Sequence, residues 1–265
     1  MNEIVLNEKE WAKRAIEALS LGKKPYETIV RVAKYYKSQG SSRADVRRKV
    51  EDFMIRCDPK LSLVKWGGAI ESAVIAAEKY PLININGIMI TAPEMEKIKS
   101  LHSVIQQRLM FTLLCLAKYG NAVNARNGGW VNVPQKDIFA LANITLTTKR
   151  QSLAINDLWQ AEMVGYSCLV DNINLQVKII EDGDEALFID DYRNLGNQYM
   201  RYVGGDYVEC ESCGIVIRKD TKHAGRPMKY CKECADLIKA SRDSDRNYIN
   251  RMNREFLKTS QKFGV

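Results

Sequence analysis

Gly165-Tyr166-Ser167-Cys168-Leu169-Val170, Asp171-Asn172-Ile173-Asn174 and Leu175-Gln176-Val177-Lys178-Ile179-Ile180 follow one another without a break and read as strand, polar turn and strand. Apolar and polar residues alternate in the outer pieces, the period of a half-buried hairpin. Immediately before it, the spacing predicts a helix from about Thr147 to Met163. Lys149, Arg150, Gln151 and Ser152 lie in its first turns and Ile155, Leu158 and Met163 behind them. The turn Asn143-Ile144-Thr145-Leu146 separates it from a helix that Pro134 introduces and that runs to about Ala142, with Ile138, Phe139 and Leu141 apolar. Further out, Trp130-Val131-Asn132-Val133 is a short extended piece. Gln106 to Tyr119 is a strongly apolar helix lined by Leu109, Leu113 and Leu116 and ended by Gly120.

Helix, helix, helix and hairpin in that order, with basic residues opening the third helix, resemble the winged-helix DNA-binding domains. The resemblance implies that the third helix enters the major groove. Arg150 and Gln151 then address base edges, Thr147, Thr148 and Lys149 the phosphates, Ser152 is a further nucleic-acid contact, and Lys178 adds a phosphate contact from the wing. Winged helices also serve as protein-docking modules, so that alternative stays open.

Cys210-Glu211-Ser212-Cys213 and Cys231-Lys232-Glu233-Cys234 are two C-x2-C pairs separated by 17 residues. Each pair can bend into a knuckle that aims two thiolates at one ion. Four thiolates satisfy the tetrahedral preference of structural zinc and leave no position open for water. The expectation is a four-cysteine zinc ribbon with short strands at Ile215-Val216-Ile217 and Met228-Lys229-Tyr230, too few to fold without the ion. Two disulfides, an iron–sulfur site or a thioredoxin-like redox pair are weaker readings, and His223 in the spacer reads as a surface residue. Arg218, Lys219, Lys222, Arg226 and Lys229 against the single acid Asp220 place a basic fringe around the ribbon, suited to a phosphate backbone.

The N-terminal part is helical. Gly22 and Pro25 break a first helix from Tyr26–Ser38, Gly40 ends that one, and Ser42 caps a third whose buried stripe is Val46, Val50 and Phe53. Arg43, Arg47 and Arg48 on this third helix admit two readings, a DNA-reading helix or a solvated face of a bundle closed by Leu63–Glu78. Leu82–Ile90 alternates around Asn86-Gly87 and predicts a hairpin. Thr91, Pro93 and Glu94 then form a strong helix start. The acids Glu181, Asp182, Asp184 and Glu185 read as a solvated turn, and Ala235–Phe263 as a helix rich in Arg and Lys.

The chain has 265 residues and a formal net charge of +8, which favours polyanionic partners. The Met1 end lacks the pattern of a secretory signal, and apolar stretches such as Leu109–Ala117 are too short to span a bilayer, so the expectation is a soluble, cytoplasmic protein with no membrane partner. Cys57, Cys115 and Cys168 read as reduced thiols. With two histidines, His102 and His223, and no phosphate-binding glycine loop or nucleophile elbow, nothing points to an enzyme. The expected fold class is mainly α with small β elements (α+β). It comprises an N-terminal helical bundle (1–90), a central winged helix-turn-helix (91–200), a zinc ribbon (201–240) and a basic C-terminal helix or tail (241–265).

Arg108-Leu109-Met110-Phe111-Thr112, Leu116-Ala117-Lys118-Tyr119, Lys149-Arg150-Gln151-Ser152-Leu153, Asp171-Asn172-Ile173-Asn174, Lys229-Tyr230-Cys231 and Cys234 together resemble a group of uncharacterised proteins encoded by phages and prophages of Gram-positive bacteria. The resemblance spans most of the chain and implies a bacterial host cytoplasm, but it carries no established activity. Two functions fit the modules: a DNA-binding regulator of transcription or replication, or an interaction protein bound to host machinery such as RNA polymerase or a defence complex. A homodimer is compatible with either, although no heptad pattern calls for one.

Overall fold

The computed structural model describes residues 4–167, 174–219 and 228–262, with side chains described as far as 250 and at Met252. The wing turn at Asp171–Ile173, Cys168, Lys222, His223 and Arg226 fall outside these residues. The chain is a mixed α+β protein in which helices dominate. In order it forms α1 (Glu8–Glu17), α2 (Pro25–Ser38), α3 (Arg43–Cys57), α4 (Leu63–Lys79), β1 (Ile88–Thr91), α5 (Ala92–Lys99), α6 (Val104–Val123), β2 (Trp130–Val131) and α7 (Gln135–Leu141). There follow α8 (Thr148–Gln160), β3 (Val164–Tyr166), β4 (Leu175–Val177), β5 (Glu185–Ile189), α9 (Leu195–Tyr202), β6 (Tyr207–Glu209), β7 (Val216–Arg218) and α10 (Lys232–Lys262).

Two compact units emerge: one of residues 1–100, 113–133 and 158–192, the other of 101–112, 134–157 and 193–265. The four N-terminal helices lie wholly in the first, the four clustered cysteines wholly in the second, and the middle of the chain contributes to both.

The first unit is built around α1–α4. Ile29, Val32, Val46, Val50, Phe53, Ile70 and Val74 form one buried cluster, the stripes expected from three- and four-residue spacing. Ser42 caps α3, its hydroxyl accepting the Asp45 N–H at 3.2 Å. Arg43 pairs with Glu71 and Glu78, Arg47 with Glu51 and Glu71, and Arg48 with Asp45. These three arginines are thus held in ion pairs within the bundle, whereas Arg56 near the end of α3 is exposed and enters none among the described residues.

The segment around Asn86-Gly87 does not fold back as the expected hairpin. Its first half bonds to the N-terminus, with Glu8 N–H donating to the Ile83 carbonyl at 2.9 Å and Ile85 N–H to that of Leu6 at 2.9 Å. Its second half, β1, pairs antiparallel with β5, setting Ile88 opposite Ile189 and Ile90 opposite Leu187. Burial of Ile88, Ile90 and Ile189 favours this long-range pairing over a local turn. The acidic stretch Glu181–Glu185 is exposed, as expected, but it is also tied in place: Glu185 opens β5, and the Glu181 N–H donates to Glu94 at 3.1 Å.

Glu94 itself is fully buried at the start of α5. It accepts the Thr91 N–H at 2.8 Å, as the capping pattern predicts, and both its oxygens accept Lys118 Nζ of α6 at 2.7 and 2.8 Å. A buried carboxylate is tolerable here because a cation and two backbone donors meet it.

The remaining sheet of this unit has the order β2-β4-β3, with β2 antiparallel to β4 and β4 antiparallel to β3. Val131, Val164, Leu175 and Val177 are buried on it. No helix among the described residues is long and apolar enough to cross a membrane.

Candidate metal centre and basic helix face

Both candidate features of the second unit are positioned by short, locally determined structure. Cys210 directly follows β6, its N–H donating to the Ile215 carbonyl at 2.9 Å, and Gly214 closes the knuckle with its N–H on the Cys210 carbonyl at 2.8 Å and φ of +75°. That left-handed backbone is why a glycine stands after the second cysteine. Cys231 stands at the start of α10 and Cys234 in its first turn, and the Glu211 N–H donating to the Lys229 carbonyl at 2.9 Å fastens one knuckle to the other. The expected strand at Met228–Tyr230 is absent. Val216–Arg218 pairs with Tyr207–Glu209, a segment too short and polar to stand out in the sequence.

The four sulfurs lie within 4.8 Å of one another, and those of Cys213 and Cys231 are 3.8 Å apart. A tetrahedron with metal–sulfur bonds of about 2.3 Å has edges of about 3.8 Å. The cluster is positioned to hold a metal ion, and its all-thiol donor set and spacing are compatible with zinc. The Cys231 N–H donates to Cys210 Sγ at 3.2 Å and that of Cys234 to Cys231 Sγ at 3.4 Å. Burial raises the Cys210 thiol, but backbone N–H groups of Cys231, Cys213 and Ser212 outweigh it and bring it down to about 6. Burial lifts the Cys213 thiol. A bound cation would draw the full set into the thiolate form.

Helix α7 and most of α8, as far as Asp157, lie in the same unit. Asn143 ends α7 with φ of +52°, in the left-handed region, and α8 begins five residues later at Thr148. Arg108 of α6 donates through one guanidinium nitrogen to the carbonyls of Ala142 and Asn143 at 2.8 and 2.5 Å, a cation set on the C-terminus of α7. Burial, with Arg218 nearby, lowers its pKa against an opposing contribution from Tyr207.

At the start of α8, Thr147, Thr148, Lys149, Arg150 and Ser152 are exposed, whereas Ala154, Ile155 and Leu158 are buried. Gln151 is half-buried: its amide donates to the Leu146 carbonyl at 3.1 Å and accepts Gln135 at 3.2 Å. It braces the turn where the sequence reading had it facing bases. Leu153, 54% exposed and one turn beyond Lys149 and Arg150, was passed over because an apolar residue in an amphipathic helix reads as core.

Arg218 and Lys219 are exposed at the far end of the β6–β7 ladder from Cys210, while Lys229 pairs with Glu211 at 3.2 Å. In the other unit, Lys178 is exposed and its stem passes over Gly165 of β3. Among the described residues, Lys149, Arg150, Lys178, Arg218 and Lys219 enter no ion pair.

No family model, curated protein or solved structure matches this chain.

Proposed function

We propose that this protein is a zinc-containing DNA-binding protein of phage type that regulates transcription or replication in a bacterial cytoplasm, with α8 as the reading helix. One observation carries the reading. The exposed run Thr147–Arg150 opens a helix with its two cations unpaired among the described residues, while Arg43, Arg47 and Arg48 of α3 are paired with acids. Unpaired cations keep their charge available to a polyanion, and paired ones do not.

The order α6-β2-α7-α8-β3-β4 with strand order β2-β4-β3 supports a winged helix, β3 and β4 being the wing. On this reading Arg150 reaches base edges and Leu153 offers an apolar contact to a thymine methyl. Thr147, Thr148, Lys149, Ser152, Arg218 and Lys219 serve the phosphates and sugars. Zinc is structural here, because four thiolates fill its coordination and leave no place for a substrate, which also supports a non-enzymatic role.

Selection of duplexes by the full chain from a random pool tests the proposal. A short shared motif should be enriched, and it should disappear for Arg150→Ala. A pool that emerges unenriched would refute sequence reading by α8.

A second reading, an interaction protein bound to a host or phage partner, has one observation in its favour. Trp159 and Tyr166 form an aromatic pair with ring centroids 6.2 Å apart while remaining 45% and 44% exposed. Exposed aromatics of this kind anchor protein interfaces. Loss of partner capture on Trp159→Ala, with no enrichment of DNA, would favour this second reading.

A further inference from the structure

A hydrogen-bonded path runs from the cysteine cluster to the turn that launches α8, entirely within the second compact unit. Val216 opens β7, opposite Glu209 and next to the ligand Cys210. Its carbonyl accepts Asn197 Nδ2 at 3.0 Å and Asn194 Nδ2 at 3.4 Å, both from the start of α9. The other end of the Asn197 amide accepts Asn143 Nδ2 at 2.8 Å, and Asn143 is the left-handed residue between α7 and α8. Asn197 is only 3% exposed and its bond to the Val216 carbonyl is buried, so water cannot readily replace that acceptor, while the bond from the exposed Asn143 is part-buried. A parallel tie exists, since Arg193 donates to the carbonyl of Cys213 at 2.6 Å just before α9 begins.

From this arrangement we infer that the four-cysteine centre governs how α8 is presented, acting through Asn197 as a positioning residue, so that DNA binding depends on the bound metal. The inference rests on the DNA-binding reading above. Its physical basis is the weakness of the ribbon alone: β6 and β7 are three residues each, too short to persist without the ion. When they loosen, the Val216 carbonyl no longer has a fixed place and Asn197 loses its acceptor. Asn143 then loses its side-chain restraint, leaving the turn to the Arg108 and Gln151 contacts alone. The metal would thus act as an effector of a site to which it contributes no ligand.

The test uses the full chain, zinc-loaded and chelator-stripped, as wild type, Asn143→Gly and Asn197→Asp. Glycine keeps the left-handed backbone and deletes the link. Aspartate keeps the acceptor for Asn143 and removes the donor to Val216. Two quantities are read: amide hydrogen exchange over residues 143–152, and affinity for a duplex. In the wild type, stripping zinc should accelerate that exchange and weaken duplex binding roughly tenfold. In both variants the zinc-loaded protein should already exchange like the stripped wild type, and the zinc effect on affinity should shrink towards onefold.

Equal exchange over 143–152 in wild type with and without zinc would overturn the coupling, as would variants that retain the full zinc effect. If the wild type binds no duplex in either form, the DNA-binding reading falls, while the exchange measurement still decides whether metal and turn are linked.

Discussion

Gly196 of α9 meets the carbonyl oxygen of Ala142 so closely that a Cβ on it would lie 1.9 Å from that oxygen. The obstacle is backbone at the end of α7, which cannot swing aside as a side chain can. Gly196→Ala should therefore push α9 off the turn and destabilise the fold by about 2 kcal/mol or more. Thermal melting checks this, and an unchanged melting temperature would show that the helices are not packed as described.

Glu94 and Lys118 make the second prediction. Replacing Glu94 by Ala strands a largely buried ammonium and unpairs the N–H groups of Thr91 and Glu181. A loss of about 3–5 kcal/mol is expected, the usual cost of removing one member of a buried pair. Chemical denaturation measures it. Glu94→Gln should lose less, because the amide oxygen still accepts.

Much of this was legible in the sequence, and what was hidden was hidden for physical reasons. The N-terminal helices declare themselves by period and caps, and the cysteine ligands by spacing. The strand β5 went unseen because Glu181, Asp182, Asp184 and Glu185 mask its apolar residues, and because its partner β1 is nearly a hundred residues away. The hairpin expected at Asn86-Gly87 failed for the same cause: a favourable local turn yielded to burial of Ile88 and Ile90 against distant chain. α9 begins with Asn194 in the left-handed region and carries Gly196 and Asn197, all poor helix signals that make sense only against Ala142 and Val216. A structural asparagine leaves no local pattern, so the link between ribbon and turn could not be read from spacing.

The contrast between paired and unpaired arginines gives a third prediction. Arg150→Ala should weaken binding to a selected duplex by about 1–3 kcal/mol. Arg47→Ala, which removes an arginine already paired with Glu51 and Glu71, should leave affinity within about twofold. Equal losses from the two substitutions, read by fluorescence anisotropy, would place the binding face elsewhere.

For the cysteine cluster, the purified chain should carry close to one zinc per molecule, measured by elemental analysis, and cobalt substituted for it should give the thiolate charge-transfer bands of a tetrahedral site. Cys234→Ser should lower metal content and remove part of that absorption. Full metal content in the variant would mean that this sulfur is not a ligand.

The central claim is that the free cations of the second unit, on α8 and the ribbon, meet a phosphate backbone. Titrating salt against duplex affinity tests it most directly. With four or five phosphate contacts, the logarithm of the association constant should fall against the logarithm of salt concentration with a slope of about −4. A slope near zero, or no binding even at low salt, would contradict the account.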